Sequence, residues 1–234
     1  MRLRTMILII AAIVIVAVAA GMSYAYYFAK KANAPHQAAG PTAVVSCSTL
    51  GATSGLRTFR IVPAQTTASY KVRENLIIRS LPSTVAVGKT QEVSGTFQIR
   101  TSQAPLVANL NVTVNLSTLT TDEPMRDRYI HSHALESDTY PKATFVSTCT
   151  QGIASNYSDG QQVSFNIVGN LTMHGKTNQE TFAVTGKLAG DTVTGSATTF
   201  LFMSDFGIEP PNLANIAIAE NKVQIILDFT AKEG

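Results

Sequence analysis

The feature that most constrains this fold is a strict two-residue alternation of apolar and polar side chains. It is clearest from Leu106 to Leu116, where every second residue is apolar and asparagine and threonine fill most positions between. Successive side chains of a β-strand point to opposite faces, so this pattern predicts a strand with one buried and one wet face. The alternation returns from Val163 to Met173, from Phe182 to Leu188 and from Val223 to Phe229.

The number of such strands predicts a closed sheet. Further strand-like segments begin at Ala68, Glu92, Ala143 and Thr192. Strands do not alternate with helices, so we expect an antiparallel sheet. Open sheet edges aggregate, whereas a barrel of about eight strands has no edge and encloses space for one small ligand. One short helix is expected between the strands, from Asp122 to about Leu135, with Pro124 in its first turn.

The charge distribution argues against a nucleic-acid partner. Five of the 18 basic residues, Arg2, Arg4, Lys30, Lys31 and Arg57, account for the whole net charge of +3. The other 13 face all 15 acids, so residues 58–234 carry a net charge of −2. Such a domain lacks the basic surface that binds phosphate backbones.

The N-terminus predicts a transmembrane helix. Residues 6–29 are almost wholly apolar, and as a helix these 24 residues span about 36 Å, enough for a ~30 Å hydrocarbon core. We interpret residues 1–31 as a single-pass membrane anchor, which places the rest of the chain on the extracytoplasmic side of the cell membrane. The alternative is a signal peptide cleaved at Ala17–Ala19 or Ser23–Ala25, which leaves a secreted protein.

A linker and a disulfide are predicted next. Residues 32–57 are rich in Ala, Gly, Pro, Ser and Thr without sustained periodicity, as in a flexible linker, and residues 58–234 form the expected barrel domain. Cys47 lies in the linker and Cys149 on a predicted strand. Two cysteines of an exported protein are more often paired than free, so we predict a Cys47–Cys149 disulfide, with two free thiols as the alternative.

Three motifs resemble the YceI-like family. The first joins Met125–Asp127 to the charged run His133–Phe145, which contains a Tyr-Pro pair; the second is Val168–Thr177, with a Gly-x-Leu-Thr strand that ends in His-Gly; the third is Ser204–Ile208. Their order and spacing agree with the family over about residues 62–231. The resemblance implies a lipocalin-like antiparallel barrel of exported bacterial proteins, whose long apolar cavity holds a polyisoprenoid chain.

The chain departs from the family pattern at three places. The early strand Ala68–Arg73 keeps only the Tyr and Val of the usual motif, and Pro82–Thr90 is an insertion relative to the plainest members. The predicted anchor replaces a cleaved signal peptide.

The apolar faces of the predicted strands supply the candidate cavity lining. These residues are Phe97, Leu110, Val112, Phe165, Ile167, Phe182, Phe200, Phe206, Ile225 and Phe229. For each of them the alternative is an ordinary packed core, because a two-residue period is the same in a filled and in a hollow barrel.

Polar residues around the predicted helix are candidates for a metal or catalytic site. Metal candidates are His131, His133, His174, Asp127, Glu136 and Asp138. Zinc needs three or four such donors, but residues 131 and 133 share a face only in an extended segment, and we expect them at a helix end. A corner network, in which Arg126 or Arg128 pairs with Asp138 or Glu136, is favoured instead. Ser204 and Asp205 with His174 lack the context of a catalytic triad.

These patterns favour a binding module over an enzyme. The predicted function is non-catalytic binding of a long polyisoprenoid-type lipid at the outer side of the cytoplasmic membrane, without a cofactor or metal. The alternatives are a ligand-free structural or adhesion domain with a packed interior and, more remotely, a metal-dependent hydrolase.

Overall fold

The structure, a computed structural model, describes residues 55–76, 83–101, 105–154, 157–213 and 217–234. The predicted anchor and all but the last three residues of the predicted linker lie outside these ranges. Within them, no helix has the length and apolarity that crossing a membrane requires.

The described chain is almost entirely β-sheet, with one short helix. The strands are β1 (Arg57–Ile61), β2 (Thr67–Leu76), β3 (Thr84–Thr90), β4 (Val93–Arg100), β5 (Leu106–Asn115), β6 (Lys142–Gln151), β7 (Gln162–Met173), β8 (Lys176–Ala189), β9 (Thr192–Phe202), β10 (Asn212–Leu213) and β11 (Ala217–Glu233). Helix α1 (Pro124–Tyr129) continues into a π-helical turn over Ile130–Ala134. Pro124 opens α1 because its missing N–H is no loss there, and the Glu123 carboxylate accepts a hydrogen bond from the Met125 amide at 3.2 Å.

Eight of the strands close a barrel in the order β1, β4, β5, β6, β7, β8, β9, β11 and back to β1. The seam lies between β1 and β11, where Phe59 faces Glu233 and Ile61 faces Ala231. All pairings among the described strands are antiparallel, as the sequence predicted. Each of these eight strands therefore has a partner strand on both sides.

Strand β11 spans 17 residues and has two successive partners on one side. It pairs with β2 up to Asp228 and with β1 from Ala231 onward. A 3-10 turn at Pro63–Gln65 separates β1 from β2, and proline suits this break because it has no N–H to give to the ladder. Thr66 is only 1% exposed, and its hydroxyl forms hydrogen bonds with the carbonyl and the amide of Thr230 on β11. These bonds hold the break between β1 and β2 against β11. Strand β3 pairs with β2 and extends this part of the wall.

Two apolar clusters occupy the barrel interior. One surrounds Phe145 and Phe182, whose ring centroids lie 4.8 Å apart. The other surrounds Phe59 and Phe97, whose rings stack at 5.7 Å, with Phe229 edge-on to Phe97 at 6.3 Å. Most members of both clusters are inward-facing strand residues, and the first cluster also includes residues of the turns, such as Leu116, Ala134 and Phe206.

The segment His133–Phe145 is a fixed corner between α1 and β6. Just before it, the His131 ring lies 2.7 Å from the Leu119 carbonyl oxygen and 3.1 Å from the Ser137 hydroxyl, and Ser137 is only 3% exposed. The Pro141 carbonyl accepts a hydrogen bond from the Leu116 amide at 2.7 Å. These bonds fix the start of β6 beside the end of β5.

The three sequence motifs meet at one end of the barrel. The Tyr140 ring of the first motif lies 4.6 Å from the His174 ring of the second. His174 Nδ1 lies 3.2 Å from the carbonyl oxygen of Phe206 in the third, within hydrogen-bond distance. His174 and Gly175 form the β7–β8 turn with φ of 51° and 71°, and glycine adopts the second of these without a steric penalty.

Candidate functional site: the barrel cavity

The barrel encloses a cavity of about 1030 Å³. Residues from both ends of the barrel line it, from Met125 and Arg126 at the α1 end to Tyr157 and Lys187 at the opposite end. The cavity therefore follows the barrel between the two sets of strand connections, and the inward faces of the strands form its wall.

Eight of the ten residues proposed from the sequence lie on this wall. They are Phe97, Leu110, Val112, Phe165, Ile167, Phe182, Ile225 and Phe229. Their binding of a ligand stays a prediction.

The structure corrects the positions of Phe200 and Phe206. The inward positions of β9 are odd-numbered, as buried Ala197 and Leu201 show, so Phe200 points outward and is 58% exposed. Its ring lies beneath the Lys222 ammonium at 4.7 Å. Phe206 is fully buried, but in the 3-10 turn after β9, where it packs with the core and does not line the cavity.

The charged lining residues are confined to the two ends of the cavity. Glu74, Asp122, Glu123 and Arg126 line the α1 end, and Arg100 and Lys187 line the other. Among the described residues, the wall between these ends carries no charged side chain. The middle of the cavity is thus suited to an apolar chain.

Arg126 organises the charges at the α1 end. Its Nη2 donates to Glu74 Oε1 at 2.7 Å and its Nη1 to Asp122 Oδ1 at 2.6 Å. Partial burial lowers the pKa of Arg126, but the bond to Asp122 and the attraction of Glu74 outweigh burial and leave that pKa raised. The hydrogen bond from Arg126 lowers the pKa of the exposed Asp122 carboxyl. Arg126 and Asp122 are therefore charged at neutral pH.

This arrangement corrects the predicted corner network. Arg126 pairs with Glu74 on β2 and Asp122 before α1, not with Asp138 or Glu136. Tyr70 and Glu74 also line the cavity, although neither was predicted from the sequence. The sequence does contain a pattern that indicates them, because Ala68, Tyr70, Val72 and Glu74 occupy every second position and so share one face of β2. A carboxylate among apolar residues on such a face indicates a specific charged or hydrogen-bonding partner.

The predicted metal candidates His131, His133 and His174 lie apart in the described structure. Within the described ranges, no three His, Cys, Asp or Glu side chains come together as ligands. His131 faces Leu119 and Ser137, whereas exposed His133 stacks on Tyr129 at 5.0 Å. His174 Nε2 lies 3.7 Å from a Glu136 oxygen.

Ser204, which the sequence did not favour as a nucleophile, is hydrogen-bonded to Asn221. Its hydroxyl accepts a hydrogen bond from Asn221 Nδ2 at 2.9 Å, and its amide donates to Asn221 Oδ1 at 3.0 Å. The His174 ring is directed to the Phe206 carbonyl.

Cys149 is buried on β6 and is not a free thiol. Cys47 lies outside the described residues, so the Cys47–Cys149 disulfide stays a prediction.

A closed eight-stranded antiparallel barrel with an apolar cavity and one short helix defines a lipocalin-like barrel. The family model of the YceI-like domain matches residues 59–231. The chain belongs to the YceI-like family, as its three motifs indicated.

Relatives in sequence are bacterial. A UPF0312 protein of Pseudomonas putida is 33% identical over 117 residues, which are 47% of this chain and 57% of that protein. Protein YceI of Shigella flexneri is 30% identical over 122 residues, 49% of this chain and 59% of that protein. The chain thus spans less than two thirds of the length of these relatives.

Solved structures share the fold. A polyisoprenoid-binding domain from Saccharophagus degradans, implicated in plant cell wall breakdown, has a TM-score of 0.57 at 14% identity, over 76% of this chain and 99% of that one. BcnA of Burkholderia cenocepacia has a TM-score of 0.55 at 21% identity, over 74% of this chain and 99% of that one. At these identities the similarity establishes the fold alone.

Proposed function

We propose that this protein binds a long apolar lipid of the polyisoprenoid type inside the barrel, without catalysis. The observation that carries the proposal is the cavity of about 1030 Å³, which runs between the barrel ends with charges only at its two ends. A protein interior is normally close-packed, so a cavity of this size weighs against a structural domain with a filled interior.

The chemistry of the wall favours a long hydrocarbon chain. Burial of each CH₂ group stabilises a complex by about 0.8 kcal/mol, so a prenyl chain needs few polar contacts for tight binding. The aromatic rings of Phe97, Phe145, Phe182 and Phe229 lie along the wall and supply a large apolar contact area. The polyisoprenoid-binding domain with the same fold is consistent with this ligand class.

The polar groups at the cavity support binding rather than reaction. Arg126 is held by two carboxylates, and the Tyr157 hydroxyl at the other end donates to the Leu188 carbonyl at 2.6 Å. Neither arrangement pairs a nucleophile with a base.

We also propose that residues 1–31 hold the barrel at the outer side of the cytoplasmic membrane. The support is the apolar length of residues 6–29, which suffices for a membrane span. Such an anchor keeps the barrel near the bilayer in which long-chain lipids reside.

A direct test uses the full chain in lipid nanodiscs. Organic extraction followed by mass spectrometry should release a prenyl lipid, and addition of a long-chain prenol to stripped protein should raise its Tm, since a ligand stabilises the state it binds. The proposal is contradicted if the extract contains no prenyl lipid and no added isoprenoid raises the Tm of the stripped protein.

A further inference from the structure

The α1 end of the cavity holds an unused hydrogen-bond donor. Tyr70 lies on the inward face of β2 and lines the cavity. Its hydroxyl oxygen is buried and has no hydrogen-bond partner among the residues that the structure describes. A buried polar group without a partner costs free energy, so such a group commonly marks a ligand contact or a functional site.

The position of this hydroxyl is fixed by the packing of its ring. Tyr70 is opposite Gly88 in the β2–β3 ladder. A Cβ at Gly88 would clash with the Tyr70 ring and would lie 2.6 Å from a Leu119 methyl group. The absent side chain of Gly88 therefore provides the space that the Tyr70 ring occupies.

Burial raises the pKa of the Tyr70 hydroxyl. The group therefore keeps its proton at physiological pH and presents a neutral O–H donor to the cavity.

The charges around this donor disfavour an anion. The α1 end of the cavity is lined by three carboxylates, Glu74, Asp122 and Glu123, and by one cation, Arg126. Arg126 is already engaged by Glu74 and Asp122, so the local balance is negative. A phosphate group placed here would be repelled, whereas a neutral oxygen accepts a hydrogen bond without that penalty.

We propose that the α1 end of the cavity binds the neutral, oxygen-bearing head group of the lipid, which accepts a hydrogen bond from Tyr70. This inference rests on the proposed function and specifies its ligand: a long apolar chain that ends in an alcohol or carbonyl, not in a phosphate. Tyr70 sets the orientation of the chain, with the head beside α1 and the tail toward Tyr157.

The test compares three probes on the stripped full chain in nanodiscs. They are a long-chain prenol, the monophosphate of the same prenol, and the isoprenoid hydrocarbon of the same length. The wild-type protein should bind the prenol more tightly than the monophosphate. Tyr70→Phe, which keeps the ring, should weaken prenol binding by about 2- to 10-fold, the value of one hydrogen bond, and leave hydrocarbon binding unchanged.

Tyr157→Phe is the matched control. Tyr157 also lines the cavity, but at the other end, and its hydroxyl already has a partner in the Leu188 carbonyl. This variant should leave the ratio of prenol to hydrocarbon affinity unchanged.

The outcomes separate the two proposals. If none of the three probes binds, the proposed function itself fails. If the hydrocarbon binds but Tyr70→Phe leaves the affinity ratio unchanged, or if the monophosphate binds more tightly than the prenol, the head-group inference is overturned and lipid binding stands. The wild-type comparison of prenol with monophosphate decides the matter even if Tyr70→Phe does not fold.

Discussion

Arg57 and Glu233 lie 176 positions apart in the chain and form a two-point ion pair across the seam of the barrel. Arg57 Nε donates to Glu233 Oε1 at 2.9 Å, and Nη2 donates to Oε2 at 2.5 Å. Nη2 also donates to the Gly190 carbonyl at 2.6 Å. One guanidinium thus joins β1, β11 and the β8–β9 turn at the end of the barrel opposite α1.

Glu233→Gln should lower the Tm slightly at pH 7 and have no effect in acid. The hydrogen bond from Arg57 lowers the pKa of the Glu233 carboxyl below its ordinary value of 4.5. A carboxyl with a lowered folded-state pKa stabilises the fold above its unfolded pKa, and this stabilisation is lost as the pH falls through the folded value. Thermal unfolding of both proteins from pH 7 to pH 3 measures the effect. The control is Glu209→Gln, the same change at an exposed residue outside the seam. If both variants lower the Tm equally at pH 7, the Arg57–Glu233 ion pair does not stabilise the fold.

Ala197→Phe should block lipid binding while the barrel stays folded. Ala197 lines the cavity, so the added ring occupies space that the ligand needs, and it meets a cavity rather than a packed core. The matched control is Ala183→Phe, on the exposed face of β8. Binding of a long-chain prenol and circular dichroism are measured for both. Normal prenol binding by Ala197→Phe would show that the ligand lies elsewhere.

Arg126→Gln should destabilise the fold by about 1–3 kcal/mol, because it leaves the buried Glu74 carboxylate without its cation. The side chain of Glu74 is only 9% exposed. The double variant Glu74→Gln/Arg126→Gln removes the uncompensated charge and should recover part of the loss. Urea unfolding gives the free energies, and a double variant as unstable as the single one would contradict this account.

Gly169→Ala should destabilise the barrel by about 1–3 kcal/mol, in the range of overpacked cores. A Cβ at Gly169 would clash with the Val146 carbonyl oxygen and lie 2.6 Å from the Phe145 ring, so the β6–β7 ladder must shift. Gly186→Ala is the control, because its Cβ would come no closer than 3.5 Å to the Thr194 carbonyl oxygen. Urea unfolding gives the free energy of unfolding of both variants. Similar losses of stability would show that steric crowding at Gly169 is not the cause of the destabilisation.

The closed antiparallel barrel was predictable because alternation reports which face of each strand is buried. Strand β7, with Ile167, Leu171 and Met173 buried on one face, shows this relationship. In β5 a bulge at Asn109 interrupts the alternation, so that Val107 and not Ala108 lines the cavity. Phe200 was wrongly predicted to face inward because it is an aromatic residue in a strand. Its neighbours Thr199 and Leu201 occupy the inward positions of β9. Local pattern fixes alternation, and the register of a strand then decides which aromatic residues face inward.

The polar end of the cavity was less predictable, because it depends on contacts between distant segments. Glu74 and Arg126 are 52 positions apart, and nearer carboxylates offered equally plausible partners for Arg126 in the sequence. That the Tyr70 hydroxyl is buried without a hydrogen-bond partner follows only from the packing of β2, β3 and the α1 region in three dimensions. By contrast, the corner His133–Phe145 is held by mostly short-range bonds around Ser137 and Pro141. The sequence predicted a corner between the helix and the sheet here, but the ion pairs predicted for it were wrong.

The double pairing of β11 has a consequence for when the protein becomes able to hold a lipid. β11 follows every other described strand in the chain, and it alone joins β9 to both β1 and β2. Without this strand, β9 has no partner on its second side and the described wall is not closed. Under the proposed function, the barrel can therefore retain its lipid only after β11 has paired and closed the wall.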